Sequence, residues 1–346
     1  MSILSWNCQG LGPALTGRNL KFLVNKYRPP LVFLMETRVH KKKVEGWKRR
    51  LNFQNEWYEE AVGIGGGLAV WWNDSVQIQV ELSSKNMVHL KVNKGLGMDG
   101  GFVTLVYGPP KERDRAQWWQ QLRRLDPGDH VQWLCCGDFN ELLYDFEKEG
   151  GRTRSLRSLE GFQNFMTACN MEDLGANGME FTWANKRMEQ AHIKERLDRA
   201  VCNTSWRESH QNAQVCNLEP IGSDHSPLII HFHLACPRGP RDFKFELNWL
   251  DHEGFDELVN RNWGHITEGG ETMDRGVVHF KSNLTNLKNT LVKWSKKEFP
   301  NNNKVLMSLM EEFRDYCSGV WNEERARRAN EIVDKIDQIW VREEKY

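Results

Sequence analysis

The chain has 346 residues, enough for one large domain or two ordinary ones around a sizeable core. Its 47 Lys+Arg balance 47 Asp+Glu, which argues against a protein held on nucleic acid by global charge. No apolar run approaches the roughly 18 residues that cross a bilayer, and Met1–Ser5 lacks the features of a secretory signal. The 8 cysteines include no Cys-x-x-Cys pair, which argues against a disulfide scaffold or zinc site and for a reducing compartment.

In chain order, Ser2–Trp6 and Leu31–Met35 read as short buried strands. The amphipathic helix Arg18–Lys26 lies between them. Residues 1–50 hold 11 Lys/Arg and 2 Asp/Glu, densest at Lys41–Lys43 and Lys48–Arg50. Such a run is a solvated helix face in the plain reading, and a local phosphate-binding patch or nuclear-import signal in the sharper one. Gly65-Gly66-Gly67 leads into a strand at Leu68–Trp72. Val76, Ile78, Val80 and Leu82 alternate with polar residues, which predicts a strand with those four on one face. Met87–Val92, Phe102–Tyr107, Val131–Cys136 and Pro227–Leu234 are further strands. Arg115–Leu125 and Leu159–Cys169 are further helices. Helices and strands interleave, but several strands follow one another directly, which favours an α/β protein with mixed sheets. The tryptophans at 71, 72, 118, 119 and 133 read as core aromatics, with base stacking as the sharper use.

Beyond Cys236-Pro237-Arg238-Gly239-Pro240-Arg241, a linker in composition, strand signals nearly vanish. Phe280–Trp294, Val305–Trp321 and Ile332–Trp340 are amphipathic helices. The expected division is therefore a domain over 1–235 and a helical extension over 236–346.

Polar residues recur where apolar strands end: Asn7, Glu36, Tyr107, Asp138, Asn140, and Ser223-Asp224-His225 before the last strand. Asp198 lies in the charged run Glu195–Arg199. Ligand sites in sheets flanked by helices collect beyond one set of strand ends, so these residues could converge. Singly, each has a plain reading: turn caps for Asn7 and Asp138, an exposed loop for Glu36, an interior aromatic for Tyr107, a core histidine for His225. Asp198 could pair with Arg196 or Arg199, an exposed ion pair worth under roughly 1 kcal/mol.

Taken in order, Ser5-Trp6-Asn7, Met35-Glu36-Thr37, Val106-Tyr107-Gly108-Pro109, Gly137-Asp138-Phe139-Asn140, Phe181-Thr182-Trp183, Arg196-Leu197-Asp198 and Ser223-Asp224-His225 resemble the endonuclease/exonuclease/phosphatase superfamily. The opening Ser5–Gly12, the Gly66–Trp72 segment and Glu147-Lys148-Glu149-Gly150-Gly151 resemble more closely the endonuclease domain of plant-type LINE (non-LTR) retrotransposons. Phe243–Trp263 and the helices after it look like the region between endonuclease and reverse transcriptase in such polyproteins. No Tyr-Ala-Asp-Asp-like polymerase motif is present, so reverse transcription is not expected of this chain.

The resemblance implies a four-layer αββα sandwich of two mixed sheets with the site at one edge. It implies a Mg²⁺-dependent phosphodiesterase that nicks one DNA strand, with Mn²⁺ able to substitute. A phosphodiester repels nucleophiles, so its hydrolysis needs a cation and an activated water. Carboxylate oxygen suits Mg²⁺, making Glu36 the leading ligand, with the positions of Asn7 and Asp224 close to it in the family. His225 paired with Asp198 would handle a proton or steady the phosphate, and Asp138 would orient or deprotonate the water. His225 and Asp138 both remain candidates for the general base. Asn7, Asn140 and Tyr107 would contact phosphate or water, and Thr182 and Ser223 would act as positioning hydroxyls. The expected partner is DNA, with RNA or other retrotransposon proteins in addition and no membrane. The expected location is nuclear, at least transiently, and otherwise cytoplasmic. The same catalytic set would also serve a phosphoesterase for inositol phosphates, lipids or RNA ends, or survive in a catalytically idle interaction module.

Overall fold

The structure, a computed structural model, describes residues 1–61, 66–232, 243, 245, 249–250, 252–263, 273–298 and 302–344. Gly65, the segment 236–241 and residues 244, 246–248 and 251 lie outside them. One compact unit comprises Met1–Cys236 with Phe313–Val333, and a second comprises Pro237–Glu312 with Asp334–Tyr346.

Two mixed sheets dominate the first unit. In the seven-stranded sheet, Ser2–Asn7 and Leu31–Met35 run parallel at the centre. Leu228–His231 and Leu68–Trp72 flank them antiparallel, with Gln214–Asn217 and Asn55–Glu59 further out. In the six-stranded sheet, Phe102–Tyr107 and Trp133–Asp138 run parallel, flanked antiparallel by Met87–Lys94 and Asp198–Asn203. A small three-stranded sheet joins Lys148–Glu149, Lys194–Glu195 and Trp183–Ala184.

Successive side chains of a strand point to opposite faces, and that alternation builds the layers. Ile3, Phe33, Val70 and Ile230 meet Val88, Leu105 and Cys136 in the core between the sheets. The intervening Leu4, Trp6, Val32 and Leu34 face outward against Leu20, Leu23 and Val24 of the helix Ala14–Tyr27 and Val44 of the helix Lys41–Arg50. On the other outer face, Val106 and Cys135 pack on Trp118, Trp119 and Leu122 of the helix Glu112–Arg123 and on Phe162 and Phe165 of the helix Leu156–Ala168. The result is the αββα sandwich expected from the sequence. Trp71, Trp118, Trp119 and Trp133 are buried, as core aromatics should be.

One expected face breaks. Leu82 is exposed although Val76 is buried and Ile78 and Val80 are partly so. The register slips between Val80 and Leu82, and such a bulge throws every later residue to the opposite face.

The second unit has its own apolar cluster. Trp249, Phe255 and Leu291 pack with Leu287 and Trp294 of the helix Met273–Glu298. No helix among the described residues is long and apolar enough to cross a membrane.

Candidate active site

The two parallel strand pairs aim their carboxyl ends the same way. Asn7 pairs in register with Met35, which places Glu36 one residue beyond. Tyr107 pairs with Asp138, and Asp138 with Asp198. Each sheet thus delivers polar groups from its centre to one edge of the sandwich.

The Asn7 side chain joins them. Its Nδ2 donates to Glu36 Oε1 at 3.1 Å and to Asp138 Oδ2 at 3.0 Å, and it lies 3.4 Å from His225 Nε2. The Tyr107 hydroxyl donates to the same Glu36 oxygen at 2.9 Å. Asn140 donates its backbone N–H to Asp138 Oδ1 at 2.8 Å and its amide to Gly108 O at 2.8 Å. His225 Nδ1 sits 2.9 Å from Asp198 Oδ2. Asp224 accepts from the Trp183 indole at 3.0 Å through Oδ2. Seven of the eight residues expected to be catalytic are therefore joined in one network, and Asp224 adds its charge beside His225 without a hydrogen bond to that network. Asn7, Asp138, Asp198 and His225 are at most 3% exposed.

Thr182 and Ser223 act on the protein itself. Thr182 Oγ1 accepts the N–H groups of Leu197 and Asp198 at 2.9 and 2.8 Å, which fixes the Asp198 backbone. Ser223 Oγ donates to Asn7 O at 2.8 Å and accepts from His225 N at 3.1 Å, tying the first strand to the last loop.

Glu36 and Asn140 hold φ angles of 52° and 53°, a region that costs most side chains energy and persists where surroundings enforce it. Around Glu36 the enforcers are backbone hydrogen bonds from Thr37 and Arg38 to Gly67 and Gly66. A side chain at Gly67 would strike Thr37 Oγ1 at 2.4 Å, so the glycine lets the two loops approach. At Gly137 a Cβ would meet Val106 O at 2.0 Å, so Asp138 follows a residue that only glycine can supply.

Burial works against an imidazolium at His225, but Asp198 and Asp138 outweigh it and push the group up to about 10. Burial and then repulsion from Asp198 push Asp138 up to about 7. Burial also opposes charge on Glu36, yet hydrogen bonds from Asn7 and Tyr107, with the Arg38 guanidinium, hold it below the ordinary carboxylate value.

Asp138, Asp198 and His225 each bring one ligand atom within 4.8 Å of the others, a grouping that could hold a metal ion. Those atoms already serve one another, however. Two oxygens nearby in the chain motifs are not engaged. Asn7 Oδ1 and Asp224 Oδ1 are buried without a hydrogen-bond partner among the described residues. Buried oxygens are rarely left in that state without a water or ion to satisfy them. With anionic Glu36 they offer the carboxylate and amide oxygens that a hard divalent cation takes.

Three residues near the site were given no role from the sequence, Trp183 among them although it stands in a motif. Arg38 pairs with Glu36 Oε2. Trp183 orients Asp224, and Lys186 Nζ donates to Ser223 O at 2.9 Å. Their sequence signal was proximity to motif residues, which names neighbours without saying what they touch.

The family model described as Endonuclease/Exonuclease/phosphatase family matches residues 4–225. Among solved structures, the endonuclease domain of TRAS1, a telomere-specific non-LTR retrotransposon, aligns at 11% identity and TM-score 0.50, over 67% of this chain and 98% of that one. An AP endonuclease from Archaeoglobus fulgidus aligns at 14% and 0.53, over 66% and 98%. The AP endonuclease LMAP from Leishmania major aligns at 14% and 0.52, over 66% and 86%. No curated protein matches this sequence.

Proposed function

Because this chain belongs to the endonuclease/exonuclease/phosphatase family, whose members hydrolyse phosphodiester bonds with a divalent metal, we propose that it is a retrotransposon-derived, Mg²⁺-dependent DNA endonuclease that nicks one strand. The observation that carries the reading is the single Asn7 amide linking Glu36, Asp138 and His225, with Asn7 Oδ1 and Asp224 Oδ1 buried and without a hydrogen-bond partner among the described residues. The likeness to a retrotransposon endonuclease domain supports DNA as the substrate.

Glu36, Asn7 Oδ1 and Asp224 Oδ1 would hold the ion, which when bound withdraws charge from the scissile phosphate. Asp138, oriented by the Asn7 and Asn140 amides, receives the proton of the attacking water. His225 has Nδ1 engaged by Asp198 and so presents Nε2 towards the site, where a cationic ring steadies the phosphate oxygens. Tyr107, already aligned on Glu36, contributes a hydroxyl to the same face. The bond that breaks joins phosphorus to the 3′-oxygen, leaving a 3′-hydroxyl and a 5′-phosphate. Nuclear residence, at least transient, follows from a chromosomal substrate.

Supercoiled plasmid incubated with the protein and Mg²⁺ should become open circles. EDTA or His225→Ala should stop the conversion. A folded wild-type protein that leaves plasmid intact in both Mg²⁺ and Mn²⁺ would overturn the reading in favour of another phosphoester or a binding role.

A further inference from the structure

Between Asn140 and the helix Leu156–Ala168 the chain makes an excursion that the catalytic network does not use. It carries Tyr144 at 47% and Phe146 at 76% exposure. Their rings stack at 5.2 Å between centroids and 11° between planes. Among the described residues of Met1–Cys236 these are the exposed large aromatics. Single exposed apolar residues are ordinary, but a stacked pair held in water forgoes the stabilisation that burying such side chains returns.

The pair stands on a rigid mount. Glu147 is buried and its Oε2 accepts the N–H groups of Leu143 and Tyr144 at 2.7 and 3.2 Å. Arg199 and Arg196 grip the Glu147 carboxylate from behind. Gln163 holds Leu143 O at 2.9 Å, and Arg196 N holds Glu147 O at 3.0 Å. Both ends of the turn are thus pinned while its two rings face out. Further along, Arg154 anchors the excursion on Glu195, and Arg152 and Arg157 on either side of it are exposed without an ion-pair partner among the described residues.

We propose that Tyr144 and Phe146 form a stacking platform for nucleobases flanking the cut, with Arg152 and Arg157 neutralising the backbone phosphates beside them. Flat aromatic faces presented with unpaired cations match the two chemistries of a nucleic-acid strand, its bases and its phosphates. Phe146 lies six positions beyond Asn140, about 20 Å of chain at full extension, so the platform lies within about six base steps of the site. This inference rests on the nucleic-acid reading above.

The test uses the full chain in EDTA, with duplex and single-stranded oligonucleotides carrying 2-aminopurine, read by anisotropy and by base fluorescence. Tyr144→Ala with Phe146→Ala should weaken binding about tenfold or more and abolish the quenching that stacking causes, at an unchanged salt slope. Phe146→Trp should restore both. Arg152→Ala with Arg157→Ala should lower the salt slope by about 2. Wild-type binding by the double alanine variant would overturn the platform. So would its converting a wild-type dimer to monomer in sedimentation while DNA affinity holds, since the rings would then join copies of this chain. Plasmid nicking in Mg²⁺, run in parallel, separates the two readings. Binding and quenching without nicking leave the platform standing and remove the endonuclease. Nicking with binding insensitive to the rings removes the platform alone.

Discussion

At the scale of the residue, the site depends on charges that must not be altered even where shape is kept. Asp198→Asn preserves volume but removes the anion that sustains a cationic His225. Nicking should fall about 100- to 1000-fold with DNA affinity retained, measured by single-turnover cleavage beside anisotropy. Glu36→Gln removes the anionic donor of the proposed oxygen set, so Mn²⁺ titrated by electron paramagnetic resonance should bind at least about tenfold more weakly. An unchanged Mn²⁺ isotherm would place the ion elsewhere, at Asp138, Asp198 and His225. The polar residues at strand ends could be read from the sequence because strand termination is a local property. The partner of Asp198 could be read from the family resemblance but not from its neighbours in the chain. Arg196 and Arg199 lie close to it in sequence, yet both turn to Glu147 and Asp173, and His225 arrives from 27 residues away.

At the scale of the element, the strand Asp198–Asn203 went unforeseen because it buries an arginine at its second position. Arg199 is 1% exposed and is tolerated only because Glu147 and Asp173 come from distant segments to meet it. Burial alone would raise those two acids, but Arg199 and Arg196 outweigh it and hold both below their ordinary values of 4.5 and 3.8. An acid lowered by folding binds fewer protons in the fold than in the unfolded chain, so its stabilisation is present above the ordinary value and is lost as the pH falls. Thermal melts should decline once the pH drops below about 4.5. Arg199→Met should lower stability at pH 7 by about 3–5 kcal/mol and flatten that decline. An equally steep decline in the variant would mean that other carboxylates govern it. The exposed Leu82 shows the same limit: alternation predicts a face, but a bulge is decided by the partner strand.

At the scale of the whole molecule, the interleaving of strands and helices showed a mixed-sheet α/β protein, and the two-sheet sandwich came from the family resemblance carried by the ordered motifs. The sequence boundary near residue 236 marks a change of composition, but the first unit also takes in Phe313–Val333. Arg314 Nε bonds the nearly buried Glu219 at 3.0 Å. Trp321 O accepts from Glu189 N at 2.8 Å, and its ring lies 5.9 Å from His192, on the loop that also carries Lys186 to Ser223. Nothing local in the sequence signals contacts made across about a hundred residues. A chain ended at Cys236 should therefore melt about 5 °C or more lower than the full chain in calorimetry, with the 185–192 loop cleaved sooner by protease. Equal melting temperatures would show the segment to be dispensable.

Asn7 stands on one sheet and Asp138 on the other, and a single amide spans them. The layers are held by side-chain packing, whereas each sheet is held by its own backbone ladder. A slip of about an ångström between layers would open that 3.0 Å contact while every strand stayed paired. Warming should therefore silence the enzyme several degrees before its circular dichroism changes, making cleavage a gauge of how the two layers register.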